Sequence, residues 1–244
     1  MRITFLGTSH GVPEPNRNCA CTLIEAGEKK YLIDMGIDPT PGLISRGIHP
    51  NQIDAIFVTH SHGDHLSGLV PFAHLCSWAF TKADPQIFLP EKDTTVDALR
   101  AWMIVVHEQL RESLRFTEIK EGCIYDDGTL RVTAMKTGHI ENAYAFSLEA
   151  EGRRVLFTGD MKHGDGPTAD YARYTADTKY DLAVAECAHF DAMQYLEPIR
   201  KNPPKQFCFN HYSSLFAESC YHLRSELRNE VPVTLLTDGY EIRL

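Results

Sequence analysis

Short apolar stretches, separated by Gly, Pro and polar turns, dominate the hydrophobic pattern of this chain. Segments rich in β-branched and aromatic residues, with turn residues at both ends, are typical of strands. The segments 143–149 and 153–157 are joined by Ala150-Glu151-Gly152, which indicates a hairpin. In chain order the predicted strands are 3–6, 20–25, 30–33, 53–58, 87–89, 116–119, 130–136, 143–149, 153–157, 182–185, 206–209 and 233–236.

Four segments have apolar residues at helical spacing: 66–79, 93–115, 191–201 and 215–229. The longest, 93–115, begins at a candidate cap, Asp93 or Thr94. The segment 167–178 is polar and predicts a loop near an active site. Strands followed by helices, twice over, predict an α/β (α+β) chain folded as a four-layer αβ/βα sandwich, with one domain over residues 1–244.

Composition and charge narrow the function. The chain has 244 residues, 43% of them hydrophobic, and a formal net charge of −9. This acidic balance argues against a broad nucleic-acid-binding face, which needs clustered Lys and Arg. It is compatible with a small phosphate ester in a pocket where metal ions supply the positive charge.

The cysteines and the hydropathy predict a location. Seven cysteines is an odd number, and several have apolar neighbours, as in Phe207-Cys208-Phe209. This pattern favours reduced, buried thiols over a disulfide framework. The chain shows no apolar leader at its start and no stretch long enough to cross a bilayer. We therefore expect a cytoplasmic protein that does not contact membranes.

The densest cluster of candidate chemistry follows the predicted strand 53–58. Within Thr59-His60-Ser61-His62-Gly63-Asp64-His65, three imidazoles and a carboxylate occupy six positions. Imidazole nitrogen and carboxylate oxygen are preferred ligands of ions such as Zn²⁺. A strand that ends in a tight loop can aim alternate side chains at two points, so this segment predicts a two-metal site.

Four more ligand-type side chains stand at the ends of other apolar strands: Asp34, His139, Asp160 and His211. Taken singly, a histidine at such a place is usually a hydrogen-bonded structural residue, and an aspartate is usually a turn residue. Together with the histidine cluster they complete the roughly seven protein ligands that two ions require.

With these residues the chain resembles the metallo-β-lactamase superfamily of metal-dependent hydrolases. The resemblance rests on His-x-His-x-Asp-His followed in order by a His, a Gly-Asp and a His. It implies two divalent ions, Zn or Mn with Fe as a further choice. It also implies the following sites: His60, His62 and His139 for the first ion; Asp64, His65 and His211 for the second; Asp160 as the bridge; and Asp34 as a hydrogen-bond partner that fixes a ligand imidazole.

The start of the chain is similar to one branch of that superfamily, ribonuclease Z and its relatives. The similarity lies in Phe5-Leu6-Gly7-Thr8-Ser9-His10-Gly11-Val12-Pro13, in Asp34-Met35-Gly36 and in Thr237-Asp238-Gly239. Ribonuclease Z carries a long tRNA-binding arm between the His and the bridging Asp, whereas His139 and Asp160 are only 21 positions apart here. We therefore expect a small phosphodiester or short nucleotide as substrate, not tRNA.

The spacing is closer to the cyclic phosphodiesterase of phosphonate-degradation operons, a compact relative with an added structural zinc. Only Cys19 and Cys21 correspond to its cysteine cluster, and two thiols do not close a tetrahedral site, so no third zinc is expected. The relatives are commonly dimers, so the resemblance also implies a homodimer.

The candidate catalytic residues are Asp64, which doubles as a metal ligand, His189 as general acid and Glu186 as its orienting partner. Ser213 is a candidate donor to a substrate phosphate, and its alternative role is to cap the helix that follows. The expected mechanism is attack on phosphorus by a hydroxide that bridges the two metals. Three alternatives stay open: a lactonase or thioesterase on the same site, an armless ribonuclease Z-like nuclease, and a non-catalytic metal-binding protein.

Overall fold

The computed structural model of the protein describes residues 1–161 and 167–244, apart from the side chains of residues 167 and 168. Two seven-stranded sheets lie face to face, and helices cover their outer surfaces. This is the αβ/βα sandwich that the order of strands and helices predicts.

The first sheet has the strand order β14-β1-β2-β3-β4-β5-β6. Its pairs are antiparallel from β14 to β3 and parallel from β3 to β6. Its strands are β1 (Arg2–Gly7), β2 (Cys21–Ala26), β3 (Lys29–Ile33), β4 (Ala55–Phe57), β5 (Gln86–Leu89), β6 (Arg115–Glu118) and β14 (Glu241–Arg243).

The second sheet has the strand order β13-β12-β11-β10-β9-β8-β7. Its pairs are parallel from β13 to β10 and antiparallel from β10 to β7. Its strands are β7 (Gly122–Asp126), β8 (Arg131–Lys136), β9 (Tyr144–Ala150), β10 (Arg153–Phe157), β11 (Leu182–Cys187), β12 (Gln206–Tyr212) and β13 (Val233–Leu235).

The helices divide between the two outer faces. Helices on the first sheet are α1 (Thr40–Ile44), α2 (Gly63–Leu66), α3 (Leu69–Trp78) and α4 (Lys92–Val105). Those on the second are α5 (Pro167–Thr175), α6 (Leu196–Lys201) and α7 (Ala217–Glu226). Short 3₁₀ turns cover Pro50–Gln52, Ala192–Tyr195 and Ser214–Phe216. No helix among the described residues is long and apolar enough to cross a membrane.

The alternation of side chains along each strand produces three apolar layers. In β4, Ala55 and Phe57 face the core between the sheets, and Ile56 faces the helices outside. Phe57 stacks on Phe88 with ring centroids 4.9 Å apart and meets the edge of Phe146 across the interface. Since a strand has a side-chain period of two, every central strand can supply both layers at once.

One predicted helix, 93–115, is too long. Helix α4 ends at Val105, and β6 already begins at Arg115. His107 adopts a left-handed φ of 59°, and the amide of Glu108 donates to the carbonyl of Met103 at 2.9 Å. This is a Schellman ending, which glycine usually marks, so the histidine at this position hid the end of the helix.

Two other expectations need correction. The predicted loop 167–178 contains helix α5 over Pro167–Thr175, whose Tyr171 and Tyr174 are buried on the second sheet; only residues 176–178 lie beyond the helix. The predicted helix 66–79 is shorter in the structure: helix α3 spans Leu69–Trp78, and Gly68 separates it from α2, which ends at Leu66. A Cβ there would lie 1.8 Å from the carbonyl oxygen of Ile37, so only glycine permits this close approach.

We expect Phe146→Ala to lower the free energy of unfolding by about 3–5 kcal/mol, because it empties a fully buried position between the two sheets. Urea unfolding followed by circular dichroism measures this change. The control is Ile44→Ala, at a side chain that is 55% exposed, which should cost no more than about 0.5 kcal/mol. Equal costs would contradict the assignment of the core.

Candidate metal centre

The predicted site residues converge at one edge of the sandwich, where parallel strands of both sheets end. Asp34 follows β3, His60 follows β4, Asp160 follows β10, and His211 lies near the end of β12. His139 comes from the segment after β8, which runs in the same direction as β10. Residues far apart in the sequence therefore meet because the carboxyl ends of these strands share an edge.

Three imidazoles form the first group. Nε2 of His60 and Nε2 of His139 lie 3.1 Å and 3.2 Å from Nδ1 of His62. Two nitrogens at 2.0–2.1 Å from a tetrahedral Zn²⁺ lie about 3.3 Å apart. The first group therefore has the spacing that one shared ion imposes, and it consists of the three residues predicted for the first metal.

The second group joins a carboxylate to two imidazoles. Oδ2 of Asp64 lies 3.4 Å from Nε2 of His65 and 3.6 Å from Nε2 of His211. These three atoms lie within the distance that one ion can span. They are the residues predicted for the second metal.

Asp160 lies between the two groups with one carboxylate oxygen toward each. Oδ2 is 3.7 Å from Nε2 of both His60 and His139. Oδ1 is 3.4 Å from Nε2 of His65 and 3.2 Å from Nε2 of His211. A carboxylate in this position can bind two ions at once.

Two buried atoms of the centre support a fit to metal ions. Nε2 of His65 and Oδ1 of Asp160 are buried and have no hydrogen-bond partner among the described residues. Leaving such a group unpaired costs about 1–3 kcal/mol, and more when it is charged. Cations held by these nitrogen and oxygen donors would remove that cost, so the residues present fit a pair of divalent ions.

Asp34 and Thr59 orient the ligand imidazoles. Nδ1 of His65 donates to Oδ2 of Asp34 at 2.8 Å, which leaves Nε2 free to bind a cation. The amide and hydroxyl of Thr59 donate to Oδ1 of Asp34 at 2.7 Å and 2.9 Å. The Thr59 hydroxyl oxygen also lies 3.2 Å from Nδ1 of His60. Asp34 has the contact that the sequence predicts for it.

Sequence reasoning missed Thr59 and Ser9. Nδ1 of His211 donates to the carbonyl of Ser9 at 3.0 Å, which fixes the His211 tautomer that presents Nε2. Thr59 directly precedes the histidine motif, and that adjacency was a usable signal. A backbone carbonyl carries no residue-type signal, so only the fold reveals the contact of Ser9.

Two of the five described non-glycine residues with a left-handed φ lie at this edge. Asp34 and His211 adopt left-handed φ values of 60° and 49°, which non-glycine residues rarely do. Gly36 passes beneath the motif loop, where a Cβ would lie 1.8 Å from the carbonyl oxygen of Asp64. Strain of this kind persists where the surrounding structure holds it in place, and it is typical of functional sites.

Burial and neighbouring charges set the protonation of His60 and Asp160. Burial, with the charge of His65, lowers the pKa of His60 to about 2, so its imidazole is neutral. Burial alone would raise the pKa of Asp160, but His211 and His65 outweigh it and hold that pKa well below the usual range. The centre therefore offers a neutral imidazole and an ionised bridge.

His189 and Glu186 form a pair beside the bridge. Nδ1 of His189 lies 2.9 Å from Oε2 of Glu186, and its Nε2 lies 3.7 Å from Oδ2 of Asp160. Glu186 is held in turn by the amides of Met161 and Ala188. Burial lowers the pKa of His189, but Glu186, with Asp160 and Asp64, outweighs it and raises that pKa to about 9.

Ser213 caps the turn that follows it, which is the second of the two roles considered for this residue. Its hydroxyl is buried and accepts from the amide of Leu215 at 3.2 Å, so it caps the 3₁₀ turn that follows. Its contact with a phosphate stays a prediction.

Cys19 donates to the carbonyl of His10, and no cysteine belongs to a metal-binding cluster among the described residues.

Comparisons with known proteins give the relatives of this chain. A family model described as "Anti-Pycsar protein Apyc1" matches residues 1–196. A ribonuclease Z from Thermosynechococcus vestitus is 31% identical over 229 residues, which is 93% of this chain and 55% of the relative. The chain spans about half the length of the first curated relatives it matches, at 50%, 55% and 50%.

Solved structures share the fold. The metallo-β-lactamase fold protein YhfI from Bacillus subtilis has a TM-score of 0.76 at 16% identity, over 99% of this chain and 98% of that one. The short form of human tRNase Z has a TM-score of 0.74 at 22% identity, over 100% and 99%. At these identities the likeness shows the fold alone, which is the metallo-β-lactamase fold.

We expect Asp34→Asn to weaken binding of one of the two ions about 10–100-fold, because the amide no longer fixes His65 as a carboxylate does. Titration calorimetry with Zn²⁺ on metal-stripped protein measures this. The matched control is Asp54→Asn, since Asp54 accepts from the amide of Lys30 and does not contact the ligands. Equal metal affinity in Asp34→Asn and wild type would contradict the role of Asp34.

Proposed function

The chain belongs to the anti-Pycsar protein Apyc1 family, within the ribonuclease Z-like branch of the metallo-β-lactamase superfamily, and we propose that it is a metal-dependent phosphodiesterase. The observation that carries the proposal is the position of Asp160, with one carboxylate oxygen toward each ligand group. Two ions so placed would be Zn or Mn, with Fe as a further choice.

When bound, the ions would neutralise charge on the phosphate oxygens and lower the pKa of a water molecule. The chain's own residues supply the rest of the site. His60, His62 and His139 hold one side of it, and Asp64, with His65 and His211, holds the other. A phosphodiester with one negative charge would be oriented across this pair of groups.

His189 is the proposed general acid. With a pKa raised to about 9, it carries a proton at neutral pH, and its Nε2 faces the bridge at 3.7 Å from Asp160. The expected step is donation of that proton to the departing alkoxide oxygen of the substrate. Glu186 acts through His189 by keeping the ring in place, so it is a positioning residue.

The substrate is proposed to be a small phosphodiester or a short nucleotide. The segment between His139 and Asp160 is filled by the β9–β10 hairpin, which leaves no length for a tRNA-binding arm there. The net charge of −9 also disfavours an extended RNA surface. A cytoplasmic location and a homodimer belong to the same proposal; the free, mostly buried thiols support the location.

Purified protein loaded with Zn²⁺ or Mn²⁺ should hydrolyse bis-p-nitrophenyl phosphate. His62→Ala and Asp160→Ala should lose bound metal and activity together, because each removes a ligand. Elemental analysis measures bound metal, and release of nitrophenolate measures activity.

A panel of lactones and thioesters is assayed beside the diester. Turnover of those esters without turnover of diesters would replace this proposal with a carbonyl hydrolase. Full metal content with no turnover of any substrate would favour a binding protein.

We expect His189→Ala to keep both ions and lose about 10²–10⁴-fold in kcat, the typical contribution of a general acid. The loss should grow as the leaving group becomes more basic, so p-nitrophenyl and alkyl esters are compared. Glu186→Gln should show the same trend with a smaller loss. A uniform loss across leaving groups would assign His189 a structural or metal-binding role instead.

A further inference from the structure

A groove next to the metal centre takes no part in the function proposed so far. It lies between the histidine-motif loop and helix α4 and has a volume of about 540 Å³. Ser61 and Gly63, which alternate with the metal ligands of the motif, form one end of its loop wall. Leu66 and Val70 continue that wall. We call this cleft the α4 groove.

Helix α4 forms the opposite wall. Thr94, Ala98 and Trp102 stand four residues apart and so lie on one stripe of the helix. The small side chain of Ala98 leaves space between the helix and the loop. Trp102 lines the groove at the end away from Glu91. Its side chain is 45% exposed, so its ring is accessible to a ligand in the groove. The helical rise from Glu91 to Trp102 gives the groove a length of about 16 Å along the helix.

The near end of the groove is tied to the metal centre. Nδ2 of Asn142 donates to Oε1 of Glu91 at 2.7 Å. Asn142 belongs to the same segment as His139, between β8 and β9. The metal-ligand candidate His62 is exposed and lies between Ser61 and Gly63, which line the groove. A substrate whose phosphate sits at the metal ligands can therefore extend from the centre into the groove.

The lining indicates what such an extension would be. Most of the groove surface is apolar, with an indole at one end, while Thr94 and Thr95 supply hydroxyls. Oε2 of Glu91 has no hydrogen-bond partner among the described residues, so it can accept from an N–H group. Ligand pockets combine apolar walls with a few polar groups in this way, and bases stack on exposed aromatic rings. The carboxylate disfavours a second phosphate here.

We propose that the α4 groove binds the heteroaromatic base carried by the retained alcohol of the phosphodiester, and that Trp102 stacks on that base. This rests on the proposed function. A phosphodiester joins two alcohols to one phosphate, and the alcohol that is released lies at His189. The alcohol that stays on the phosphate then extends into the groove. Trp102 is then a specificity-determining residue, and Glu91 contacts the edge of the base.

Two p-nitrophenyl esters test the proposal. One is thymidine 5′-(p-nitrophenyl phosphate), and the other is the same ester of 1,2-dideoxyribose, which lacks only the base. Stacking on one aromatic side chain predicts a ratio of the two kcat/KM values of about ten or more in the wild type. In Trp102→Ala that ratio should fall about tenfold through KM, and Trp102→Phe should restore most of it.

The chain has only two tryptophans, so Trp78 offers a matched control. It is 58% exposed on α3 and does not line the groove. Trp78→Ala should leave the ratio at its wild-type value. In the same variant Trp102 is the sole tryptophan, and its fluorescence should be quenched by thymidine 5′-phosphate and not by ribose 5-phosphate. This binding readout does not require turnover.

The outcomes separate the two proposals. If neither ester is cleaved but quenching is base-dependent, the phosphodiesterase proposal fails and the groove assignment stands. If both esters are cleaved equally, with no base-dependent quenching, the groove assignment is overturned and the phosphodiesterase stands. If Trp102→Ala lowers turnover of both esters alike and shifts the protein to a smaller oligomer in light scattering, the groove buries a second copy of the chain, which also overturns the proposal.

Discussion

The buried carboxylate of Asp160 is the constraint on which the rest of the site depends. An ionised oxygen pair out of contact with water is tolerated only if positive charge or hydrogen-bond donors surround it. Here His65 and His211 approach one oxygen, and His60 and His139 approach the other. Oδ1 still lacks a hydrogen-bond partner among the described residues. The site is therefore suited to binding cations, which would supply the partner that Oδ1 lacks.

That requirement explains features of the fold that have no other evident use. Asp34 and His211 have left-handed backbones, and Gly36 lies against the motif loop where no side chain would fit. Each conformation costs free energy, which the packed sheets on both sides offset. Thr59 and the carbonyl of Ser9 then fix which imidazole nitrogen faces the ions. The rigid strand ends of two sheets supply the precision that a loop alone would lack.

The proposed chemistry and the proposed substrate selectivity lie in different parts of the structure. The bridge, most of the ligands and the His189–Glu186 pair follow strand ends, which the core between the sheets holds in place, and Asp64 and His65 lie on α2. The α4 groove is formed by a helix and a loop that pack outside the first sheet, with Trp102 at its end. Relatives of one fold can therefore share a reaction and differ in substrate, because helix α4 carries no metal ligand and can change without disturbing the ligands.

The sequence alone determined the αβ/βα layering and predicted the residues that the structure brings together in the two ligand groups. Strand ends that carry His or Asp are visible in the hydrophobic pattern, and the resemblance to the metallo-β-lactamase superfamily implies which of them share an ion. It could not determine where α4 ends, because His107 takes the left-handed position that glycine usually marks. Nor could it reveal the Ser9 contact or the groove beside Trp102. Backbone groups carry no residue-type signal, and a cleft arises from the packing of segments distant in sequence, so only the tertiary structure decided them.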